Sequence, residues 1–181
     1  MGYCAAIGHR KEVAVKIPVF VSCPTSLNTE QEQARGYILR QLGKFGLEAR
    51  ALGRSDYPTE FPLREVMVIA RHCSGAVILG FEQFRANGGI RKKGTKNQSK
   101  VGAEVKFPSP WNNLEAGILF GLSMPLLIFR ESGIDGGVFD DGVTDVFIHR
   151  MPMGKIAAAE NRALGEVFLK WQAKVRERYY R

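Results

Sequence analysis

Apolar positions along the chain follow two kinds of spacing. Short apolar or alternating segments cover residues 17–22, 47–52, 76–81, 126–129 and 144–149. Segments of this length, bounded by turn residues, are typical of strands in a buried sheet. The longer segments between them repeat apolar residues every three or four positions, which predicts amphipathic helices. The regular alternation of the two patterns predicts an α/β protein.

Local signals predict where the helices begin and end. Thr29 and Glu32 have the spacing of a capping box, and Gly46 is a suitable end for the helix that follows. Ser109 is a predicted N-cap, with Pro110 in the first helical turn. The apolar positions expected to face the core are Ala34, Ile38, Leu42 and Phe45, then Leu63, Val66, Met67 and Ala70, then Trp111, Leu114, Ile118 and Leu122, and finally Leu164, Phe168, Trp171, Val175 and Tyr179.

Strands that alternate with helices favour a parallel sheet covered by those helices. We expect a flavodoxin-like three-layer sandwich, with a five-stranded parallel sheet in the order 2-1-3-4-5 and helices on both faces. A chain of 181 residues suits a single domain with a full core. Within residues 1–181 we expect a core over about residues 16–150, a basic insertion at 85–108 and a C-terminal helix over about 154–180.

The formal net charge of +8 is concentrated in that insertion. Residues 85–108 contain seven basic residues and one acidic residue, a net charge of +6. The interpretation that the sequence favours is a mobile, solvated loop, and a lid or polyphosphate clamp is the functional alternative. Nucleic-acid binding is less favoured, because no aromatic residue lies between the lysines to stack on bases.

Composition argues against several other classes of protein. The three cysteines, Cys4, Cys23 and Cys73, are widely separated and odd in number, which favours a reduced cytoplasmic protein. The apolar segments are too short to span a membrane, and no secretory signal is visible. The histidines are not grouped with the cysteines as they are in zinc sites. We therefore expect a cytoplasmic protein without a metal or a membrane association.

Glu115 is the candidate catalytic residue. It lies one helical turn after Trp111 in an apolar setting, where its ionised form is desolvated unless a cation contacts it. The alternative is a capping or ion-paired glutamate on an ordinary amphipathic helix. In open parallel sheets, ligands bind outside the carboxyl ends of the strands. The beginning of the Trp111 helix is predicted at that edge, together with residues 22–26, 54–57 and those after Phe81.

Two short motifs resemble those of a known superfamily. The first-strand segment Val19-Phe20-Val21-Ser22 is similar to the opening box of TIR domains. The pair Trp111-x-x-x-Glu115 is similar to their WCxxE signature, whose glutamate is catalytic in the NAD-cleaving members. The segments Glu115-Ala116-Gly117 and Gly121-Leu122-Ser123-Met124-Pro125 resemble the glutamate region of nucleoside 2-deoxyribosyltransferases, which share the architecture. Asn112 stands where TIR domains often have cysteine.

The resemblance implies that the chain cleaves an N-glycosidic bond. Departure of a base such as nicotinamide leaves positive charge on the ribose, which a glutamate can stabilise or trap covalently. No cofactor is then needed, because NAD or another nucleotide is the substrate or ligand. With Glu115 as the catalytic residue, the residues expected to bind the substrate are Ser22, Cys23, Pro24, Arg54, Asp56, Phe81, Trp111 and Asn112.

Each of these side chains has an expected role. Trp111 walls the pocket, Asn112 binds a ribose hydroxyl, and Ser22 with the backbone after it holds a phosphate or ribose. Arg54 is the expected cation for a diphosphate. For Cys23, the role of a small buried thiol is favoured over that of a nucleophile. Two alternatives stay open: a nucleoside 2-deoxyribosyltransferase-like enzyme, and a non-catalytic module that senses a nucleotide or assembles with copies of itself or a partner protein.

Overall fold

The computed structural model describes residues 15–56 and 61–181, so Cys4 and residue 57 of the predicted 54–57 segment lie outside the described residues. The elements are β1 (Ile17–Ser22), α1 (Thr29–Lys44), β2 (Leu47–Arg50), α2 (Pro62–Arg71), β3 (Ala76–Gly80), β4 (Phe84–Arg91), β5 (Ser99–Phe107), α3 (Pro110–Gly121), β6 (Leu126–Arg130), a short 3-10 turn (Gly137–Phe139), β7 (Ile148–Arg150) and α4 (Ala158–Tyr179).

Five strands form one parallel sheet, in the order β2-β1-β3-β6-β7. The prediction of an α/β protein with a five-stranded parallel sheet is confirmed, and the arrangement is consistent with a flavodoxin-like fold. The order differs from the predicted 2-1-3-4-5 because two further strands, β4 and β5, lie between β3 and α3 in the sequence. They form a separate two-stranded sheet.

Two apolar clusters contain the buried side chains of the sheet. Val19 and Val21 of β1 belong to a cluster with residues of α1 and α4, whereas Phe20 belongs to a cluster with residues of α2 and α3. Successive side chains of a strand point to opposite faces, which explains this division. In the described part of the chain, no helix combines the length and the apolar character that crossing a membrane requires.

The basic insertion is a regular β-hairpin, so the prediction of a loop at 85–108 is wrong. β4 and β5 pair antiparallel from Phe84 with Phe107 to Arg91 with Ser99, with a register shift between Asn87 and Gly89. We call residues 84–107 the basic ribbon. Nearly all of its side chains are exposed or half-buried. Because the ribbon buries so little apolar surface, the alternation that usually signals a strand is absent.

Several predicted boundaries shift in the structure. The N-cap of α1 is Asn28, and its capping box pairs Asn28 with Gln31 through hydrogen bonds of 2.9 and 3.1 Å, not Thr29 with Glu32. The last strand is Ile148–Arg150, which begins later than the predicted 144–149. Among the residues predicted to be in the core, Leu63 and Tyr179 are exposed.

Candidate functional site

Helix α3 begins as predicted but buries a different face. The Ser109 hydroxyl accepts a hydrogen bond from the Trp111 backbone N–H at 3.2 Å, which satisfies one free donor of the first turn. Trp111 and Leu114 are each 44% exposed, so the predicted apolar stripe is not the buried one. The side chains of α3 that are buried are Asn112, Glu115, Ala116 and Leu119.

Glu115 is a buried carboxyl group near the end of β1. Its side chain belongs to a residue that is only 8% exposed, and this desolvation raises the pKa of Glu115 from 4.5 to about 7. The Ser22 hydroxyl forms a hydrogen bond with the carboxylate, which lowers that pKa and offsets part of the effect of burial. Within residues 15–56 and 61–181, Glu115 has no ion-pair partner. A substantial fraction is therefore protonated at neutral pH.

Asn112 fixes the geometry around this carboxyl group. The residue is 1% exposed, and its amide nitrogen donates to the Ser22 hydroxyl at 2.8 Å and to the Leu79 carbonyl at 3.3 Å. Its Oδ1 atom is buried without a hydrogen-bond donor. A buried acceptor without a partner is unfavourable, so this oxygen is available to a ligand that brings a donor.

A cleft of about 420 Å³ lies beside these residues. This volume is within the range of about 300–1,000 Å³ that small-molecule sites occupy. The described residues that line it come from the loops after β1 and β2, from the beginning of α2, and from the two sides of the basic ribbon and the start of α3. They are Cys23, Pro24, Thr25, Ser26, Leu52, Gly53, Pro62, Gln83, Ser109, Trp111, Asn112 and Glu115. Glu115 is the one ionisable carboxyl group in this described lining, which contains no basic side chain.

Arg54 does not line the cleft, contrary to its expected role as a cation for a diphosphate. Its guanidinium donates to the Pro24 carbonyl at 2.8 Å and the Thr25 carbonyl at 2.9 Å. It also pairs with Glu32 at 2.9 Å. These contacts use the guanidinium to hold the loop after β1 against α1, so Arg54 positions Pro24 and Thr25 from behind the cleft.

Asp56 and Phe81 also lie away from the cleft. Asp56 pairs with Arg50 and accepts a hydrogen bond from Ser55 at 2.8 Å, and the hydrogen bond from Arg50 is the main cause of its lowered pKa. Phe81 is fully buried in the apolar cluster that contains Leu79. Both residues therefore have structural surroundings, and the expected contacts of either with a base are not supported by their placement.

The remaining predicted residues come together. Cys23, Pro24, Trp111 and Asn112 line the cleft with Glu115, and Ser22 lies directly behind it. Burial raises the pKa of the Cys23 thiol to about 11, so this group is protonated at neutral pH and is a poor nucleophile.

Seven lining residues were not predicted as ligand contacts. Ser26 and Gln83 show why, because the Gln83 amide reaches the Ser26 carbonyl at 3.4 Å across two distant loops. Sequence spacing does not encode such a contact. The general rule that ligands bind at the carboxyl ends of parallel strands is the signal that could have indicated Thr25, Leu52 and Gly53.

Comparisons with protein-family models, with curated proteins and with solved structures find no match. The chemistry of the cleft is therefore inferred from its own residues. A single desolvated carboxylate beside a half-exposed tryptophan suits a ligand that is, or becomes, positively charged.

Proposed function

We propose that this protein is a nucleotide N-glycosidase of TIR-like type that cleaves the bond between base and ribose in NAD or a related nucleotide. In this proposal residues 1–181 form one TIR-like domain with the flavodoxin-like three-layer sandwich. The observation that supports it is the buried Glu115, with a pKa raised to about 7, in a cleft whose described lining has no competing cation. The ribose motif of the substrate is placed beside this carboxylate.

The proposed reaction needs one carboxylate and no cofactor. The bond between the ribose carbon and the nicotinamide nitrogen breaks, and its electron pair stays on the nitrogen, so the cationic ring leaves as neutral nicotinamide. The positive charge that develops on the ribose is stabilised by ionised Glu115 in a poorly screened environment. Water then adds to the ribose carbon and loses a proton, which gives ADP-ribose and nicotinamide.

Other cleft residues have supporting roles in the proposal. The exposed face of Trp111 covers the base, because an aromatic ring attracts a flat cationic ring. The Oδ1 atom of Asn112, which lacks a protein donor, accepts a hydrogen bond from a ribose hydroxyl. Pro24 and the residues after it contact the rest of the nucleotide, in a loop that Arg54 holds in place.

The test is incubation of the purified full chain with NAD, followed by chromatographic separation of the products. We expect equal amounts of nicotinamide and ADP-ribose. Glu115→Gln keeps the size and hydrogen-bonding ability of the side chain but removes its charge, and it is expected to lower the rate by at least about 100-fold. Glu166→Gln, at an exposed position of α4, is the matched control and is expected to retain activity.

Two other outcomes favour the alternatives. Exchange of bases between nucleosides, without net hydrolysis of NAD, indicates a nucleoside 2-deoxyribosyltransferase-like enzyme. Tight binding of NAD measured by calorimetry, with no turnover by the wild-type chain, indicates a nucleotide-sensing module. Turnover that is equal in wild type and Glu115→Gln contradicts the proposed role of Glu115, provided that both proteins show the same thermal unfolding.

A further inference from the structure

The basic ribbon uses its cations in two different ways. At its base, Arg85 and Lys106 both pair with Glu82, at 2.6 and 2.9 Å, and Arg85 also pairs with Glu104 at 3.1 Å. The hydrogen bond from Arg85 is the main cause of the fall in the pKa of Glu82 to about 2. The base of the ribbon is therefore an ion-pair network that joins it to the segment after β3.

The tip of the ribbon, residues 91–100, has five cations and no acidic residue. They are Arg91, Lys92, Lys93, Lys96 and Lys100. All ten tip residues are exposed, and none of the five cations has an ion pair with another described residue. Five unpaired like charges on one short turn repel each other, so their concentration there is unfavourable for folding.

The turn itself is held by uncharged groups. The Gly94 N–H donates to the Gln98 side-chain oxygen at 2.7 Å, and the Thr95 hydroxyl donates to the Lys92 carbonyl at 2.9 Å. The Gln98 N–H donates to the Thr95 carbonyl at 3.0 Å. Because backbone and neutral side chains form the turn, the five cations are not needed to build it and are free to bind an anion.

We propose that the ribbon tip binds the phosphate backbone of double-stranded nucleic acid. The charge of the tip is complementary to a dense row of phosphates. A two-stranded β-ribbon fits the major groove of duplex DNA, which is about 12 Å wide. The neutral tip residues Thr95, Asn97 and Ser99 carry the short polar side chains that commonly donate hydrogen bonds to phosphate oxygens.

Composition of the tip favours a duplex over two other polyanions. Residues 91–100 contain no aromatic residue, whereas single-stranded nucleic acid is bound largely by stacking of bases on aromatic side chains. They contain no apolar residue either, whereas surface elements that enter a lipid bilayer carry large apolar side chains. The contacts that remain are those to a backbone of fixed geometry.

The test is fluorescence anisotropy of a short labelled DNA duplex titrated with the full chain at several salt concentrations. If each of the five tip cations neutralises one phosphate, the slope of log affinity against log salt is about −4.5, and affinity falls about 500-fold between about 50 and 200 mM salt. Lys92→Gln/Lys93→Gln/Lys96→Gln leaves two cations, so we expect a slope of about −1.8 and a fall of about 12-fold.

The matched control changes the same number of charges elsewhere. Lys155→Gln/Arg162→Gln/Lys170→Gln removes three exposed cations outside the ribbon and is expected to keep the wild-type slope. Equal slopes for the two triple variants overturn the proposal, as does the absence of salt-dependent binding by the wild type. Tighter binding to a single strand of the same sequence, or binding only to phosphatidylserine-containing vesicles, also overturns it. The activity of Glu115 does not enter this measurement.

Discussion

The Asn112 side-chain amide donates a 2.8 Å hydrogen bond to the Ser22 hydroxyl and so joins the first turn of α3 to the end of β1. The same hydroxyl forms a hydrogen bond with Glu115. Both contacts are buried, where a hydrogen bond is poorly screened and a lost partner is costly. The protonation of Glu115 therefore depends on the register between the central sheet and α3.

Ser22→Ala is expected to make Glu115 harder to ionise. The hydroxyl lowers the pKa of Glu115, so its removal raises that pKa above about 7 and moves the midpoint of the pH–activity curve to higher pH. Loss of one acceptor of Asn112 also lowers the free energy of unfolding by about 1–3 kcal/mol. The measurement is a pH–rate profile beside that of Ser132→Ala, an exposed control. Coincident profiles for the two variants would show that Ser22 does not act on Glu115.

The pH dependence of the wild type follows from the charge that the proposed reaction requires. Burial raises the pKa of Glu115 to about 7, so kcat/KM is expected to rise through that pH and to reach a plateau above it. A bound cationic nucleotide favours the ionised carboxylate, so the midpoint for kcat should lie at lower pH than the midpoint for kcat/KM. Activity that falls through this range would mean that the protonated acid is the active form.

Glu115→Gln is expected to stabilise the protein at alkaline pH. The folded-state pKa of about 7 is above the ordinary value of 4.5, so stability is highest below pH 4.5 and is lost as pH rises through about 7. Above that range the loss is on the order of 3 kcal/mol, which the neutral glutamine avoids. Urea unfolding near pH 8 and again below the ordinary glutamate pKa tests this. A difference that is the same at both pH values would contradict it.

Gly80→Ala is expected to destabilise the sheet. A Cβ atom at this position would lie 2.7 Å from Cζ of the Phe139 ring, which is fully buried and cannot move away cheaply. Overpacking of this kind costs about 1–3 kcal/mol. Gly165→Ala, in the interior of α4 with no atom near the new methyl group, should instead stabilise by about 0.5–1 kcal/mol. Thermal unfolding compares the two, and a Gly80→Ala protein as stable as the wild type would refute the clash.

The strongly patterned parts of the fold could be predicted from the sequence. Ala34, Ile38 and Leu42 have helical spacing and are all buried in α1. The uniformly apolar segment at 76–81 contains the fully buried central strand β3. In both cases burial of apolar side chains decides the structure, and the hydrophobic pattern records that burial directly.

Other parts depend on polar contacts that the pattern does not record. The buried face of α3 was wrongly predicted because Asn112 and Glu115 occupy two of its positions, where apolar residues are usually found. Arg54 was placed in the ligand site from its charge, but the carbonyls of Pro24 and Thr25 hold it elsewhere. Such partners come from distant loops, and only their three-dimensional arrangement brings them together.

The basic ribbon leaves the body of the protein and returns to it at almost the same point. The Gln83 side of the ribbon and its Phe107 side are joined by a backbone hydrogen bond of 2.9 Å. A hairpin with adjoining ends is a detachable appendage, since a tight glycine turn between those ends could replace it without changing the path of β3 or α3. Grafted onto an unrelated scaffold through the same two ends, it would carry its charge with it.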